Sequence, residues 1–449
     1  MPKTIRLKKG HDIRLVGEAY KFIEQAPRPT TFAIKPPDFR GIVPKLLVKE
    51  GEEVKAGSPL FYDKYNERVQ FTAPVSGEVA EIKRGAKRKI LEIKILADSN
   101  NDFIDFGSGD PAHLSREEIK DKMLASGVWP FLRQRPFSKI AKSDEVPRDI
   151  FISGFNSAPL APDYAYILKD YGPDFKTGLD AIKKLTDGKV YLSLPAGKEN
   201  PAAFVNADGV EINYFSGPHP SGNVGVQIHH LAPLGKGEMV WYINPLDLIT
   251  IGKLFNEGRF NGERIIAITG SEAPNRKYFR TTLGTAIAPF SAEEKEEKRI
   301  RHISGNVLTG TAVAANSYLG FYDYQLTIIP EGDEPEFMGW LFPSYPRPTL
   351  SRTFPWAFME DKKYVVNTNM HGEERPFVIT GKFEKVMPMD ILPLQLLKAC
   401  LTEDLDAMEG LGLYEVDEED FALVEFMDTS KLPIQSIIRD GLDLMEKEG

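Results

Sequence analysis

The sequence predicts a multidomain α+β protein, and three observations carry that expectation. The chain has 449 residues, room for about three domains at roughly 100–200 residues each. Its patterning changes along its length. Short apolar runs broken by Gly, Pro and charged turns come first, then alternating strand and helix signals, then apolar residues at helical spacing. The composition, 42% hydrophobic and 27% charged, is that of a globular protein able to build large cores.

The same figures exclude several classes. A net charge of −9 suits nucleic acid poorly, because phosphate contacts need clustered Lys and Arg. The single cysteine, Cys400, permits no internal disulfide, no Cys-rich zinc site and no iron–sulfur cluster. No run approaches the roughly 18 apolar residues of a transmembrane helix. The N-terminal MPKTIRLKKG lacks the apolar stretch of a signal peptide. The expected compartment is the cytoplasm, with membrane attachment through a partner or a surface patch.

Residues 1–110 are read as the first domain, an N-terminal barrel. Within it, Leu46 to Lys64 and Gln70 to Ile82 follow a strand–turn–strand–hairpin–corner order. Gly51 and Gly57 fit turns that need positive φ, and Gly77 fits a sharp corner. This stretch resembles the biotinyl/lipoyl barrel-sandwich hybrid, which in carrier proteins presents a modified lysine at a hairpin tip. The stretch from Lys64 to Ala73 is longer than in carriers, so Lys64 is expected away from the tip and unmodified. The basic hairpin Lys83 to Lys89 reads as a solvated turn; contact with acidic partner groups or lipid headgroups is the alternative.

Residues 111–270 form the second unit. Strand signals at Asp149–Phe155, Lys189–Leu194, Glu211–Phe215, Met239–Ile243 and Arg264–Thr269 alternate with helical segments at Pro159–Tyr171, Thr177–Asp187 and Leu246–Asn256. That alternation predicts an open α/β layer. Such layers often hold nucleotides, and the glycine-rich candidate is Ser216 to Gly225. Gly217 and Gly222 have the spacing of a phosphate loop, but Asn223-Val224 stands where Lys-Ser/Thr belongs. Pro218 and Pro220 remove N–H donors, which argues against a phosphate grip. His219, between those prolines, is either a structural loop histidine or part of a site. His229-His230 read as a strand-like run in which only one ring could face a site. No metal ligand set is evident, and neither H-E-x-x-H nor G-x-S-x-G occurs.

Residues 271–380 read as a compact α+β unit followed by an aromatic loop at 337–358. Its prolines forbid a regular helix. Trp340, Phe342, Tyr345, Phe354 and Trp356 must therefore pack over the core, or meet a partner surface or a quinone-like apolar ligand.

Residues 381–449 form the last unit. From Leu401 onward 15 acidic residues face only Lys431, Arg439 and Lys447, a net −12, so the body is nearly neutral. Ile434, Ile437, Ile438, Leu442 and Met445 fall on one helical face, and Asp417 can cap a helix through Phe421, Val424 and Met427. This predicts a helical domain with an acidic solvent face, serving solubility or docking a basic partner. Cys400, after Leu396 and Leu397, suits a buried inert thiol.

Several separated stretches, in order along nearly the whole chain, resemble one family. They are Ile5 to Asp12 (IRLKKGHD), Phe71-Thr72-Ala73-Pro74, Arg84 to Arg88 (RGAKR), Gly217-Pro218-His219-Pro220, Gly339-Trp340, Val386 to Pro393 (VMPMDILP) and Asp417 to Asp420 (DEED). The chain thereby resembles the NqrA family, the A subunits of the bacterial Na+-translocating NADH:quinone oxidoreductase. His11 departs from the family, which more often has an apolar residue there.

The resemblance implies a fold related to the C subunit of the Rnf complex and the flavin-binding NADH subunit of complex I. It comprises the barrel-sandwich hybrid, a Rossmann-like α/β domain, a β-grasp (SLBB-like) domain and a C-terminal helical domain. It implies a peripheral protein on the cytoplasmic side of the bacterial inner membrane. This protein would join subunits B–F, chiefly B and C, and contribute to ubiquinone reduction coupled to sodium export. The complex is the enzyme, and the isolated chain is expected to have no turnover. No iron–sulfur cluster, flavin or lipoyl group is expected on this chain, and quinone is the expected ligand.

Candidate quinone or partner contacts are Gly217, His219, Gly222, Trp340, Phe342, Tyr345, Phe354 and Trp356; no catalytic residue or metal ligand is assigned. Two other readings stand beside this one: an NADH- and flavin-binding oxidoreductase component, and a carrier protein modified at Lys64.

Overall fold

The computed structural model describes residues 2–291, 299–332, 337–338, 341, 347–350, 358–359 and 362–449. Those residues form four sheets and a helical tail.

The N-terminal barrel pairs two small sheets. One has the order Thr31–Ile34, Ile90–Ala97, Gly77–Arg84, Glu53–Val54; the other has Pro44–Leu46, Pro59–Asp63, Asn66–Thr72. Alternate residues, such as Val69 and Phe71 or Ile93 and Ile95, turn into one shared core. There the Phe61 and Phe71 rings stack with centroids 4.4 Å apart. Gly77 has φ 149°, and a Cβ there would collide with the Leu96 carbonyl, which explains the corner glycine. Lys64 is not displaced from its hairpin. Asp63 pairs with Asn66, so exposed Lys64 and Tyr65 are the two turn residues. The extra length sits in the strand Asn66–Thr72 instead.

The second sheet has seven strands, ordered Thr4–Arg6, Glu211–Ser216, Val190–Pro195, Ile150–Ser153, Val240–Ile243, Arg133–Arg135, Lys139–Ile140. The first five run parallel and the last two antiparallel. Helices Gly172–Lys183 and Pro245–Glu257 pack together on it, with Phe175, Leu179, Ile251 and Leu254 buried. Two sequence expectations are corrected here. The predicted helix Pro159–Tyr171 contracts to Tyr164–Leu168, capped by Asp163, since Pro159 and Pro162 lack the N–H a helix needs. The strand Glu263–Thr269 does not extend this layer; it pairs elsewhere.

That strand lies inside a six-stranded sheet ordered Thr311–Val313, Ile300–Ser304, Gln325–Pro330, Glu263–Thr269, Lys277–Thr282, Tyr20–Gln25. The chain's first 25 residues therefore serve two other sheets. Thr4–Arg6 completes the edge of the seven-stranded sheet and Tyr20–Gln25 that of the six-stranded one. Strands this short carry no local signal of their partner.

The tail holds helices Phe383–Val386, Pro393–Leu401, Leu405–Gly410, Glu418–Met427 and Ile434–Glu448. Ile434, Ile437, Ile438, Leu442 and Met445 are all buried, as their spacing requires. Asp417 caps the helix Glu418–Met427 through a capping box with Asp420. Cys400 is buried in the same core, which also takes in Leu7, Ile13, Leu15 and Val226 from the body. The acids do not simply face solvent: Asp417, Asp420 and Asp428 are buried. Among the described residues no helix is long and apolar enough to cross a membrane.

Candidate functional site

In the seven-stranded sheet the strand order reverses beside Ile150–Ser153. The chain steps outward to Val190–Pro195 and Glu211–Ser216, then crosses back to Val240–Ile243 on the other side. Open α/β sheets bind ligands in the crevice at the carboxyl ends of the strands flanking such a reversal. A cavity of about 890 Å³ opens there. Ser153 and Asn156, beyond the first strand, line it together with Tyr242 and Asn244, at the end of the second. The barrel contributes Asp38, Arg40 and Lys89; the six-stranded sheet's loops bring Tyr322, Asp323 and Tyr324; the tail brings Asp417, Glu418, Glu419 and Arg439. All four units meet at this cavity.

Helix Val224–Leu231 starts at the crevice. A helix N-terminus favours an anion through its free N–H groups and dipole. Here that end lies against the tail, through the Asp420 carboxylate and the Glu419 main chain. A Cβ on Gly225 would collide with the Asp420 carboxylate. Asn223 donates its side-chain N–H to the Glu419 carbonyl at 3.2 Å. Arg135, fully buried, donates to Glu419 Oε1 at 2.6 Å and to Asp420 Oδ2 at 3.1 Å. Arg439 reaches Glu418 at 3.2 Å and Asp417 at 3.5 Å, and Arg40 also pairs with Glu418.

The electrostatics follow from this packing. Burial opposes ionisation of Asp417, yet Arg135 holds its carboxyl well below the usual range. Burial pushes Glu418 and Glu419 upward. The acidic solvent face expected over 417–420 is therefore corrected: these acids form an internal ion cluster closing one wall of the crevice.

The expected site residues fare differently. His219 is buried and, with Gly222, lines the cavity. Its backbone N–H donates to Asp12 Oδ1 at 2.8 Å. The Ser157 hydroxyl lies 3.0 Å from His219 Nδ1 and accepts the Gly222 N–H at 2.8 Å. Burial drives the His219 imidazole down to about 4, so it is neutral near pH 7. Gly217 does not line the cavity; with φ 128° it lies against Leu7, where any side chain would strike the Leu7 carbonyl. Trp340, Phe342, Tyr345, Phe354 and Trp356 lie outside the described residues.

His229 and His230 occupy the helix Val224–Leu231, not a strand. Both hold the tail: His229 Nδ1 is 2.7 Å from Glu415 Oε2 and its Nε2 accepts the Asp390 N–H at 3.0 Å, while His230 Nε2 lies 3.1 Å from the Pro388 carbonyl. Among the described residues no group of three or more His, Cys, Asp and Glu side chains is placed to hold a metal ion.

Sequence reasoning missed Arg133, Arg135, Tyr242 and Tyr322. The available signal was Arg133-Gln134-Arg135 following the apolar run Val128 to Leu132, two charges on one face of a strand beside a core segment.

Comparison with known proteins adds the following. Residues 5–98 match a family model described as the NqrA N-terminal barrel-sandwich hybrid domain, residues 114–260 one described as the NqrA second alpha/beta domain, and residues 265–315 one described as the NQRA C-terminal domain, named for SLBB. The chain is 40% identical over 449 residues to the A subunit of the Na(+)-translocating NADH-quinone reductase of Neisseria meningitidis serogroup B, covering 99% of this chain and 100% of that one. It is 38% identical over 450 residues to the protein of the same name in Yersinia pestis bv. Antiqua, with the same coverage. A solved NAD+-reducing [NiFe]-hydrogenase aligns with TM-score 0.36 and 12% identity over 49% of each chain.

Proposed function

We infer the role of this chain from the family to which it belongs, NqrA, the A subunits of the Na+-translocating NADH-quinone reductase. It acts as one component of that oxidoreductase complex, and its work is quinone reduction coupled to sodium export. The observation that carries this reading is the identity of 40% spanning 99% of this chain and 100% of the relative. The likeness is thus not confined to a shared fold.

The finer reading is as follows. The chain sits peripherally on the cytoplasmic side and binds the membrane subunits, chiefly B and C. It holds no flavin, iron–sulfur cluster or lipoyl group of its own. Two observations support the cofactor reading. The helix end at the crevice is covered by Glu419 and Asp420 paired with Arg135. The tail offers one buried thiol, Cys400, where a cluster needs several thiolates. The lone thiol does not fit a cluster, and the Asp420 contact weighs against a phosphate at this helix end. Quinone contact is assigned to the cavity wall at His219 and Gly222 and to the aromatic loop, because the cavity offers aromatic rings and convergent polar groups.

The test uses membranes carrying the complex without this chain. NADH-driven quinone reduction is expected to be lost and restored when the purified chain is added back. Full activity without the chain would contradict the reading. Photo-crosslinking with an azidoquinone is expected to label 217–225 or 337–358.

A further inference from the structure

Among the described residues, the charges lining the cavity do not all find a hydrogen-bond or ion-pair partner. Each lining carboxylate does. Asp38 accepts the Phe321 N–H at 2.8 Å and Asp323 the Ser304 hydroxyl at 2.6 Å. Asp417 and Glu418 are held by Arg40 and Arg439, and Glu419 by Arg135. Those pairings occupy Arg40 and Arg439. Two lining cations remain, Arg133 and Lys89, and among the described residues neither has a hydrogen bond or ion pair from its side chain.

Arg133 is the informative one. It sits two residues from Arg135 on the same face of one strand, and Tyr242 contacts both guanidinium groups. Arg135 meets carboxylates. Arg133 makes its close contacts with rings, its guanidinium 4.6 Å from the centroids of both Tyr242 and Tyr322; the Glu419 and Asp247 carboxylates act on its charge without a hydrogen bond or close ion pair to it. Two aromatic contacts hold the cation in place and satisfy none of its N–H donors. A half-buried guanidinium without an oxygen partner is costly, and what it still presents is the planar fork of N–H groups that matches a carboxylate or phosphate edge-on. Lys89 belongs to the exposed basic hairpin Lys83 to Lys89 and also lines the cavity. That hairpin places positive charge where it draws anions inward.

We propose that this cavity binds a small oxyanion, a carboxylate or inorganic phosphate, gripped by the Arg133 fork and drawn in past Lys89. The proposal goes beyond the quinone reading and does not rest on it. The volume, about 890 Å³, falls within the range of small-molecule sites.

The test is calorimetric titration of the full chain at low salt with malonate and, separately, inorganic phosphate. One equivalent of at least one anion is expected to bind, and the tighter of the two identifies the source chemistry. Arg133→Gln is expected to weaken that binding about tenfold or more. Arg133→Lys keeps the charge without the fork, guards against a folding defect, and is expected to fall between the two. Lys89→Gln is expected to reduce the salt dependence. Failure of both anions to bind, or equal binding to wild type and Arg133→Gln, would overturn the proposal. So would Arg133-dependent binding of a short-chain ubiquinone when neither anion binds; that outcome would leave the quinone reading standing.

Discussion

The Asp420 carboxylate rests against Gly225 at the start of helix Val224–Leu231, so closely that no side chain fits between them. This contact joins the tail to the α/β sheet at the crevice. Gly225→Val is expected to push the tail away and lower stability by about 1–3 kcal/mol through overpacking. Thermal unfolding of wild type and variant checks this; an unchanged midpoint would show that the contact has slack.

Arg135 is the hub of the cluster, fully buried among Asp417, Glu419 and Asp420. Arg135→Ala leaves those acids without their cation and is expected to cost about 3–5 kcal/mol. Adding Glu419→Gln and Asp420→Asn removes the stranded charge and is expected to recover part of the loss. A triple variant no more stable than Arg135→Ala would argue against charge pairing as the cause.

Asp38 and Asp247 each lower stability as pH rises through about 4 to 6, while His219, whose imidazole burial pushes down to about 4, acts the opposite way. Burial lifts Asp38 and Asp247 to about 6, against the opposing pull of Lys35 and Arg264 respectively. A carboxyl whose folded value is raised adds stability that is full below its unfolded value, about 4, and is lost as pH passes through about 6. Glu418 and Glu419 act in the same direction. Asp417, depressed in the fold, acts oppositely and only at lower pH. Asp247→Asn, which keeps a group beside the Tyr324 hydroxyl, is expected to raise the unfolding midpoint relative to wild type more at pH 7 than at pH 5. The same difference between variant and wild type at pH 5 and pH 7 would be inconsistent with this assignment.

Cys400 should be inert in the native chain. Burial raises its thiol to about 11, so little thiolate exists near neutrality. A thiol reagent such as dithionitrobenzoate is expected to react only after denaturation. Rapid modification of the folded chain would contradict the packing.

What was legible in the sequence follows the range of the forces involved. Ile434 to Met445 announced their helix because one buried face sets a local spacing, and Asp417 announced its cap through residues three positions away. The barrel was legible because its turns demand Gly51, Gly57 and Gly77. The edge strands Thr4–Arg6 and Tyr20–Gln25 were not, since their partners lie more than 200 residues distant. The same held for the site. His219 and Gly222 stood out in a glycine- and proline-rich loop, whereas Arg133 and Arg135 acquire meaning only when Tyr322 and the 417–420 acids arrive from elsewhere in the chain. A run of acids looks solvated until the arginines that neutralise it are placed.

We propose that the tail, with Asp420 against Gly225 and its acids held by Arg135, closes this wall of the crevice to an anionic cofactor. Flavin retention tests it most directly: the purified full chain is incubated with flavin mononucleotide, desalted, and its visible absorption recorded. The account predicts no flavin carried with the protein. A stoichiometric flavin spectrum would contradict it.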